Sequence, residues 1–500
     1  MYVKWEDNME KKKLTQSEID GVQYRHAKTW HIALSQLNGG SSMVFYVLIG
    51  MISYLANAGY GIAVAITGFI LTATRIFDGI IDPALAILID KTNTKHGKLR
   101  ILMFTGWVIR AFAAFLLFVW GSGKGHGITM FVMMYLVYIV GSSLVDISSN
   151  IVGPVMTNDP KQRPLINVWS TVYNYLFPII FTMITTLFIL PKYGNQYSVE
   201  MLAETCILYV IASLVLLLIS FIGITPIDKP ENFKGIHSGE EQQVKIHDMF
   251  IFIKENRPFQ FYLISAASEK LAQQSGAQAV VTTMLFGILM GNIQFGSILG
   301  MIAMLPAIIF AIIGGKYAGK HGGKKSILTW TRVCIALASI SIVFCCVIDM
   351  RQIPNNIVLM VIFFVLLLAL NGARMCVTTA SGAMRADIID YELDRSGKYM
   401  PAVVVSTYNF VDQIITSFGA TIAAGCVALI GFKTVMPQPT DEPSKAIFVI
   451  TMFLYYGLPI LTWIVTQIVM RFYKLSKEEM VNVQKRIYDQ KMASLAKENE

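Results

Sequence analysis

Two aspartates and an arginine lie inside a stretch of the chain that is otherwise apolar. The segment RIFDGIIDP (residues 75–83) falls within the run 61–89, which as a helix rising about 1.5 Å per residue is long enough to cross a bilayer. Asp78 and Asp82 share one helix face, with Arg75 one turn before them. Charges at this depth are costly and usually face a polar interior. The pattern therefore predicts a cation site.

A third acid, Asp146, lies within span four with neutral oxygens close in sequence, from Ser149 and Asn150 among others. Hard cations such as Na⁺ prefer oxygen ligands, and closely packed carboxylates cannot all stay ionised without a cation. We predict that Asp78, Asp82 and Asp146 converge on one site that holds a metal ion or a proton. The alternative is a structural ion pair between an aspartate and the arginine of span two, which would leave two acids unpaired.

The second half of the chain offers a separate set of polar residues. Glu269 and Lys270 lie in span seven, Arg374 in span ten, and Asp412 and Gln413 in span eleven. An unpaired charge at depth costs several kcal/mol, roughly. Pairing among the four charged residues, which would neutralise Lys270 and Arg374, is therefore the expected arrangement.

Four aromatic residues and one further arginine are weaker candidates. Tyr46, Trp169, Tyr173 and Tyr408 lie within spans, where an aromatic ring either stacks on the C–H face of a sugar or packs against lipid and protein. Arg110 in span three is interpreted as a side chain that snorkels from the cytoplasmic half of the membrane.

Composition sets the fold class as an all-α polytopic membrane protein. The chain has 500 residues, of which 54% are hydrophobic and only 15% charged, which excludes an ordinary soluble enzyme. Residues 1–28 are polar without the apolar core of a signal peptide, so the first hydrophobic segment is expected to be a true span. The twelve predicted spans are 28–56, 60–90, 99–121, 127–157, 165–190, 203–225, 258–289, 293–317, 325–349, 355–385, 400–431 and 445–473.

Lysine and arginine set the expected orientation. They are concentrated after the even-numbered spans, for example at Lys91, Lys161, Lys320 and Arg385, and are sparse in the opposite loops. By the positive-inside rule both termini are cytoplasmic, in a cell membrane. The net charge of +9 reflects this bias and indicates no nucleic-acid partner. The six cysteines show no metal-ligand spacing and are expected to be buried; no cofactor is predicted.

A polar stretch at residues 226–257 divides the chain into two sets of six spans. Lys95-His-Gly-Lys98 after span two and Lys320-His-Gly-Gly-Lys324 after span eight form a faint repeat between the two halves. This organisation favours two pseudo-symmetric six-helix bundles of a duplicated transporter. The expected units are 1–27, 28–225, 226–257, 258–473 and a cytoplasmic tail at 474–500.

These motifs resemble those of the glycoside–pentoside–hexuronide:cation symporters, the melibiose-carrier branch of the major facilitator superfamily. Residues 75–83 followed by Asp90-Lys91-Thr are similar to the family's R-I-x-D-x-x-x-D-P…D-x-T signature. Asp146 with Pro154 is similar to its span-four acid and proline, and residues 386–391 to its A-D-I-x-D-Y motif. The resemblance runs over nearly the whole chain and implies the major facilitator fold.

The resemblance also implies roles for individual residues. Cation binding passes to Asp78, Asp82, Asp146 and Ser143. The chain departs from the family in three places. Span one lacks an acid, and span eleven lacks the family's lysine. In span five the position of the family's arginine falls near Thr171. The candidate substrate contacts are Arg75, Gln36, Asn38, Ser42, Asn150, Trp169, Tyr173, Glu269, Lys270, Arg374, Tyr408, Asp412 and Gln413.

The resemblance implies a secondary transporter that moves a glycoside inward with Na⁺ or H⁺ by alternating access. The expected charge pairing in the second half favours a neutral glycoside over a uronide. The other readings are uptake of an amphipathic, lysolipid-like solute and a non-transporting sensor on the same scaffold. A membrane enzyme is disfavoured, because no nucleophile–base pair or HExxH-like pattern lies within the spans.

Overall fold

The structure, a computed structural model, describes residues 26–91, 98–157, 163–229, 252–304, 306–397 and 401–498. Within these ranges the chain is helical and contains no β-strand, which confirms the all-α fold class. A long apolar segment forms a helix in a membrane because only a helix satisfies its backbone hydrogen bonds internally.

Helices occupy all twelve predicted positions. In the first half, α1 is Thr29–Gly59, α2 is Val64–Lys91, α3 is Leu99–Trp120, α4 is Gly127–Met156, α5 covers 163–193 and α6 is Val199–Ile224. In the second half, α7 is Arg257–Gly276 continued by Ala279–Leu289, α8 is Ile293–Met304 continued by Ala307–His321, α9 is Gly323–Val347, α10 is Ile357–Ser396, α11 is Pro401–Leu429 and α12 is Lys445–Val469.

Nine helices of the described ranges are long and apolar enough to cross a membrane. The other three predicted spans are α2, which carries the charges of residues 75–82, and α7 and α8, which are interrupted. That these three also cross the membrane stays a prediction.

Helix α10 is longer than predicted. The sequence places its end at residue 385, but the helix continues to Ser396 and ends at Gly397, whose φ of 69° suits the left-handed cap. Arg385 is therefore a half-buried residue of α10 rather than part of a loop. The error arises because hydropathy falls where the helix leaves the apolar layer, although the backbone pattern continues.

The two halves meet through α2 with α11 and through α5 with α8. At Gly68 a Cβ would lie 2.7 Å from the Cβ of Ala424, so only glycine allows α2 and α11 to approach this closely. Hydrogen bonds then join the helices, from Thr72 Oγ1 to the Ser417 carbonyl at 2.8 Å and from Thr421 Oγ1 to the Gly68 carbonyl at 2.9 Å.

Further bonds between the halves lie beyond these, at the loop between α11 and α12. The Val64 amide donates to the Lys433 carbonyl at 3.1 Å, and Tyr54 Oη donates to the Pro437 carbonyl at 2.9 Å. We refer to this row of contacts, from Pro437 to Ser417, as the seam. The seam lies at the end of the helices opposite to the carboxyl ends of α2 and α8.

Close packing of α3 on α4 fixes the position of a buried arginine. A Cβ on Gly141 would lie 2.6 Å from the backbone nitrogen of Arg110 and 2.8 Å from the carbonyl oxygen of Gly106. Because both helices carry glycine at this crossing, their backbones come into contact. This contact brings Arg110 of α3 next to the polar face of α4.

A last helix, α13 (Lys477–Glu498), packs against α10. Arg486 Nη2 lies 2.8 Å from Asp394 Oδ2, and Gln484 Nε2 donates to Asp390 Oδ2 at 2.7 Å. Asp390 belongs to the motif at 386–391, so this part of the family signature contacts the tail helix in the structure.

Four of the cysteines are buried, but Cys346 is exposed and Cys426 half-buried, so the expectation of six buried cysteines is wrong at these two positions. Nearly all of the polar stretch between the halves, at 230–251, and residues 1–25 lie outside the described residues.

Candidate functional site

A cavity of about 430 Å³ opens within the first half of the chain. Its walls come from α1 to α5, and each of these five helices contributes polar side chains. Residues predicted from sequence line it, among them Gln36, Asn38, Ser42, Tyr46, Arg75, Asp78 and Asp146. Of the three acids predicted to form the cation site, Asp78 and Asp146 have described side chains, and the cavity gathers both together with the polar stretch of span one.

Asp78 of α2 is held on both carboxylate oxygens. Ser143 Oγ of α4 donates to Oδ1 at 2.6 Å, and Gln413 Nε2 of α11 donates to Oδ2 at 3.2 Å. A carboxylate with two donors is fixed in orientation while keeping lone pairs free for a further ligand. The structure thus brings Ser143 to Asp78, as the resemblance implies, and their role in cation binding stays a prediction.

Asp146 is connected to Arg110 through a serine. Ser42 Oγ donates to Asp146 Oδ1 at 3.2 Å and accepts from Arg110 Nη1 at 3.1 Å. Arg110 Nη2 lies 3.4 Å from Ser41 Oγ, and its guanidinium lies 4.4 Å from the centre of the Phe45 ring. The arginine therefore supplies positive charge close to the span-four acid.

The interpretation of Arg110 as a snorkelling residue is wrong. Its side chain is only 1% exposed and lines the cavity. Arg110 lies near the middle of the span Leu99–Trp120, where a guanidinium cannot reach either surface and must find partners inside. That central position, together with Gly106 one turn earlier, is the signal in the sequence that would have identified it.

Arg75 lines the cavity but makes no ion pair within 4 Å with Asp78 in the described part of the chain. The side chains of Asp82 and Asn150 lie outside the described ones, although both residues belong to described helices. Their predicted contributions to the site stay predictions, as does the alternative of an ion pair between Arg75 and Asp82.

Asn38 is the most buried of the span-one candidates, at 2% exposure. Its amide nitrogen hydrogen-bonds Ser149 Oγ, whereas its Oδ1 has no partner among the described residues. A buried acceptor without a partner is costly unless a ligand or water meets it. Gln36 Nε2 is turned to Ser35 Oγ at 3.2 Å.

The aromatic residues at the cavity differ from those expected. Trp169 and Tyr173 of α5 contact each other, with ring centres 5.6 Å apart, and it is Ser170 and Asn174 of the same helix that line the cavity. The rings at the wall are those of Tyr46, which was predicted, and of Tyr135 and Tyr138, which were not. The two α4 tyrosines lie two and three turns before Asp146, on the helix face that carries the acid.

The four charged residues of the second half lie within electrostatic reach of one another, Glu269 of Lys270 and Arg374 and Asp412 of Lys270, but they form no direct ion pairs. Among the described side chains, Glu269, Lys270, Arg374 and Asp412 make no ion pair within 4 Å. The guanidinium of Arg374 instead lies 5.4 Å from the centre of the Trp463 ring, with Nη2 3.5 Å from a backbone carbonyl. Ring faces and carbonyl oxygens replace the carboxylate as partners.

Tyr408 and Asp412 form a local contact on α11, with Tyr408 Oη 3.5 Å from Asp412 Oδ1. The guanidinium of Arg385 lies 3.9 Å from the centre of the Tyr408 ring, and its Nε lies 3.3 Å from Tyr262 Oη. These second-half groups are not among the residues that line the cavity of the first half.

Comparison with known proteins adds an independent line of information. A family model described as MFS/sugar transport protein matches residues 40–477. The inner membrane symporter YicJ of Escherichia coli (strain K12) is 19% identical over 440 residues, 86% of this chain and 88% of the relative.

Two shorter matches reach other curated proteins. The putative glycoside/cation symporter YagG of Escherichia coli (strain K12) is 23% identical over 127 residues, 25% of this chain, and the lactose permease of Lactobacillus helveticus is 26% identical over 125 residues, 24% of this chain. These matches span only 28% and 20% of the length of the two relatives.

Solved structures show the same fold at low sequence identity. The nucleoside transporter NupG superposes with a TM-score of 0.58 at 13% identity, covering 88% of this chain and 99% of that one. A bacterial homolog of the human lysosomal transporter Spinster, inward-facing, gives a TM-score of 0.56 at 12% identity, with 92% and 97% covered.

Proposed function

Because this chain belongs to the MFS/sugar transport protein family, as the sequence resemblance predicted, we propose that it is a symporter that carries a sugar into the cell together with Na⁺ or H⁺. The family consists of membrane transporters and not of enzymes, so the enzyme alternative is excluded. The observation that carries the proposal is the polar cavity in which Asp78 and Asp146 face one space.

The cation belongs with Asp78 in this proposal. Its carboxylate, the hydroxyl of Ser143 at 2.6 Å and the nearby carboxylate of Asp146 supply the hard oxygen ligands that Na⁺ prefers. The same carboxylates could instead hold a proton. Binding the cation removes negative charge from the cavity, which prepares it for the sugar, and the two ligands then favour each other's binding.

The sugar occupies the rest of the cavity. Asn38 Oδ1, which has no partner among the described residues, can accept from a sugar hydroxyl, and the rings of Tyr46, Tyr135 and Tyr138 offer faces for the C–H side of a pyranose. Alternating access would occur by rocking of the two halves, and the seam is the set of contacts that such rocking must break.

Both termini are cytoplasmic in this proposal, in the cell membrane, so the turn between α8 and α9 faces the cytoplasm. A cysteine at the exposed Lys320, in a background without Cys346, should resist an impermeant thiol reagent added to intact cells and react once the membrane is opened. The matched control is a cysteine at Lys433, in the loop after α11, which should react from outside. Labelling of the Lys320 position in intact cells would show the orientation to be reversed.

A panel of sugars tested for uptake into proteoliposomes is the direct test of the function. Uptake of at least one glycoside should rise when an inward gradient of Na⁺ or H⁺ is imposed, and collapse when the gradient is dissipated. A panel that includes lysolipids separates the amphipathic-solute alternative. Binding of a sugar without any uptake would favour the sensor alternative.

A uronide is the second candidate substrate, and one observation favours it. Arg374 has no carboxylate within 4 Å in the described part of the chain, so it forms none of the direct ion pairs that would neutralise it most fully. If a uronide is carried, uronides should compete for uptake better than the matching neutral glycosides, and Arg374→Gln should remove that preference by about tenfold or more. Arg332, exposed on α9 and bonded to Gln467 at 3.0 Å, gives the control variant Arg332→Gln. A neutral glycoside that competes best would rule out the uronide.

A further inference from the structure

The carboxylate of Asp78 is bound by both halves of the molecule. Its Oδ1 is held within the first half by Ser143, whereas its Oδ2 accepts from Gln413 Nε2 of the second half at 3.2 Å. The amide of Gln413 packs on Gly79, where a Cβ would lie 3.3 Å from Oε1 and 3.5 Å from Cδ. The absence of a side chain at Gly79 therefore leaves room for the amide beside the acid.

This contact continues the seam towards the middle of the membrane. Along α2 the partners of α11 are Gly68, Thr72 and then Asp78, and along α11 they run in the opposite direction through Thr421 to Gln413. The bonds of Thr72 and Thr421 join hydroxyls to carbonyls or to each other. The bond of Gln413 differs, because its acceptor is an acidic group and is the group assigned to the cation.

We propose that Gln413 is a positioning residue that links occupancy of the cation site to closure of the seam, because its amide N–H₂ and the coupling ion compete for Asp78 Oδ2. The inference rests on the proposed function, since it requires Asp78 to bind the ion. It assigns Gln413 to ion coupling and not to the substrate contact expected from the sequence.

The competition follows from the charges involved. An N–H donor carries partial positive charge and directs it at the lone pairs of Oδ2, and a cation bound there needs the same electrons and repels the same hydrogen. Closing the seam therefore lowers the affinity of Asp78 for the ion. By reciprocity, a bound ion weakens the innermost contact of the seam by the same factor. Release of the ion is then favoured when the seam is closed.

The test compares Gln413→Met with Thr421→Val in purified full-length protein in lipid nanodiscs. Methionine keeps the length of the side chain and lacks the donor, and Thr421→Val loosens the same seam without touching the acid. NaCl is titrated against choline chloride at constant ionic strength, and a pH titration without Na⁺ gives the proton arm. Gln413→Met should bind the ion that the wild type responds to about tenfold more tightly, the effect of one hydrogen bond to a charged group. Thr421→Val should stay within about twofold of wild type.

A second variant and a transport readout keep the proposal open to refutation. Gly79→Ala pushes the amide by a few tenths of an ångström without changing it and should tighten ion binding in the same direction by a smaller factor, even if Gln413→Met folds poorly. In proteoliposomes Gln413→Met should slow sugar efflux, which requires ion release, and leave sugar exchange at constant ion concentration near wild type.

The outcomes are separable. Equal ion affinity in wild type, Gln413→Met and Gly79→Ala would overturn this inference alone, as would an equal tightening in Thr421→Val. A wild-type protein that responds to neither Na⁺ nor H⁺ would overturn the proposed function and this inference with it.

Discussion

Replacement of Asp78 by asparagine should reduce the rate of uptake driven by a cation gradient by about a hundredfold or more. Asparagine keeps an oxygen that can accept from Ser143, so the fold should survive, but the negative charge that holds the cation is gone. A hydrogen-bonded charged group at a buried site contributes on the order of 3 kcal/mol, which corresponds to this factor. The measurement is initial uptake of the identified sugar into proteoliposomes with and without the gradient.

Sugar binding and a matched acid serve as controls for this variant. Equilibrium binding of the sugar to Asp78→Asn should remain detectable, because Asn38 and the tyrosine rings assigned to the sugar are unchanged. Asp394→Asn removes an acid outside the cavity, one that lies 2.8 Å from Arg486, and should leave the gradient dependence intact. Concentrative uptake that persists in Asp78→Asn would remove Asp78 from the cation site.

Replacement of Arg110 by methionine should reduce both stability and transport strongly. The substitution removes the buried guanidinium that reaches Asp146 through Ser42 and leaves that acid, which is exposed to the cavity, without compensating charge. Losing the hydrogen bonds of a charged group costs about 1.5–3 kcal/mol. We expect a clear fall in the thermal unfolding midpoint in detergent and a loss of uptake.

The pair can be tested against its own double variant. Arg110→Met combined with Asp146→Asn removes both charges and should recover much of the lost stability while remaining inactive in transport. Arg332→Met, at an exposed site, controls for the loss of an arginine as such. If the double variant is no more stable than Arg110→Met, then Asp146 is not the group that Arg110 compensates.

The fold was accessible from the sequence because the length of an apolar segment is a local property. Each predicted span contains a helix, and the errors lie at ends such as that of α10, where polar residues continue the helix beyond the apolar layer. Several polar cavity residues, among them Asn38 of α1, Asp78 of α2 and Asp146 of α4, were also found from the sequence, since polar side chains within such spans have few alternative roles.

Partners distant in sequence were not accessible in the same way. The second-half charges were expected to pair with one another, and the structure instead places Arg374 beside Trp463 and the carbonyl of Tyr455. No spacing rule identifies a partner some eighty positions away on another helix, and an aromatic face leaves no charge signal in a sequence. The contact of Gln413 with Asp78 is of the same kind, because it depends on how closely α2 and α11 approach.

Deuterium exchange of backbone amides at the seam end, between the two halves, reports how often the molecule opens. Three backbone amides at this end of the molecule donate to acceptors in the opposite half, from Val64 to the Lys433 carbonyl at 3.1 Å, from Tyr197 to the Gln438 side chain at 3.0 Å and from Met436 to Asn57 at 2.7 Å. Such protons exchange with deuterium only when the halves part. Their exchange rates therefore report how often the halves separate in the wild-type protein, without any label. A ligand that shifts the balance between open and closed forms will change all three rates together.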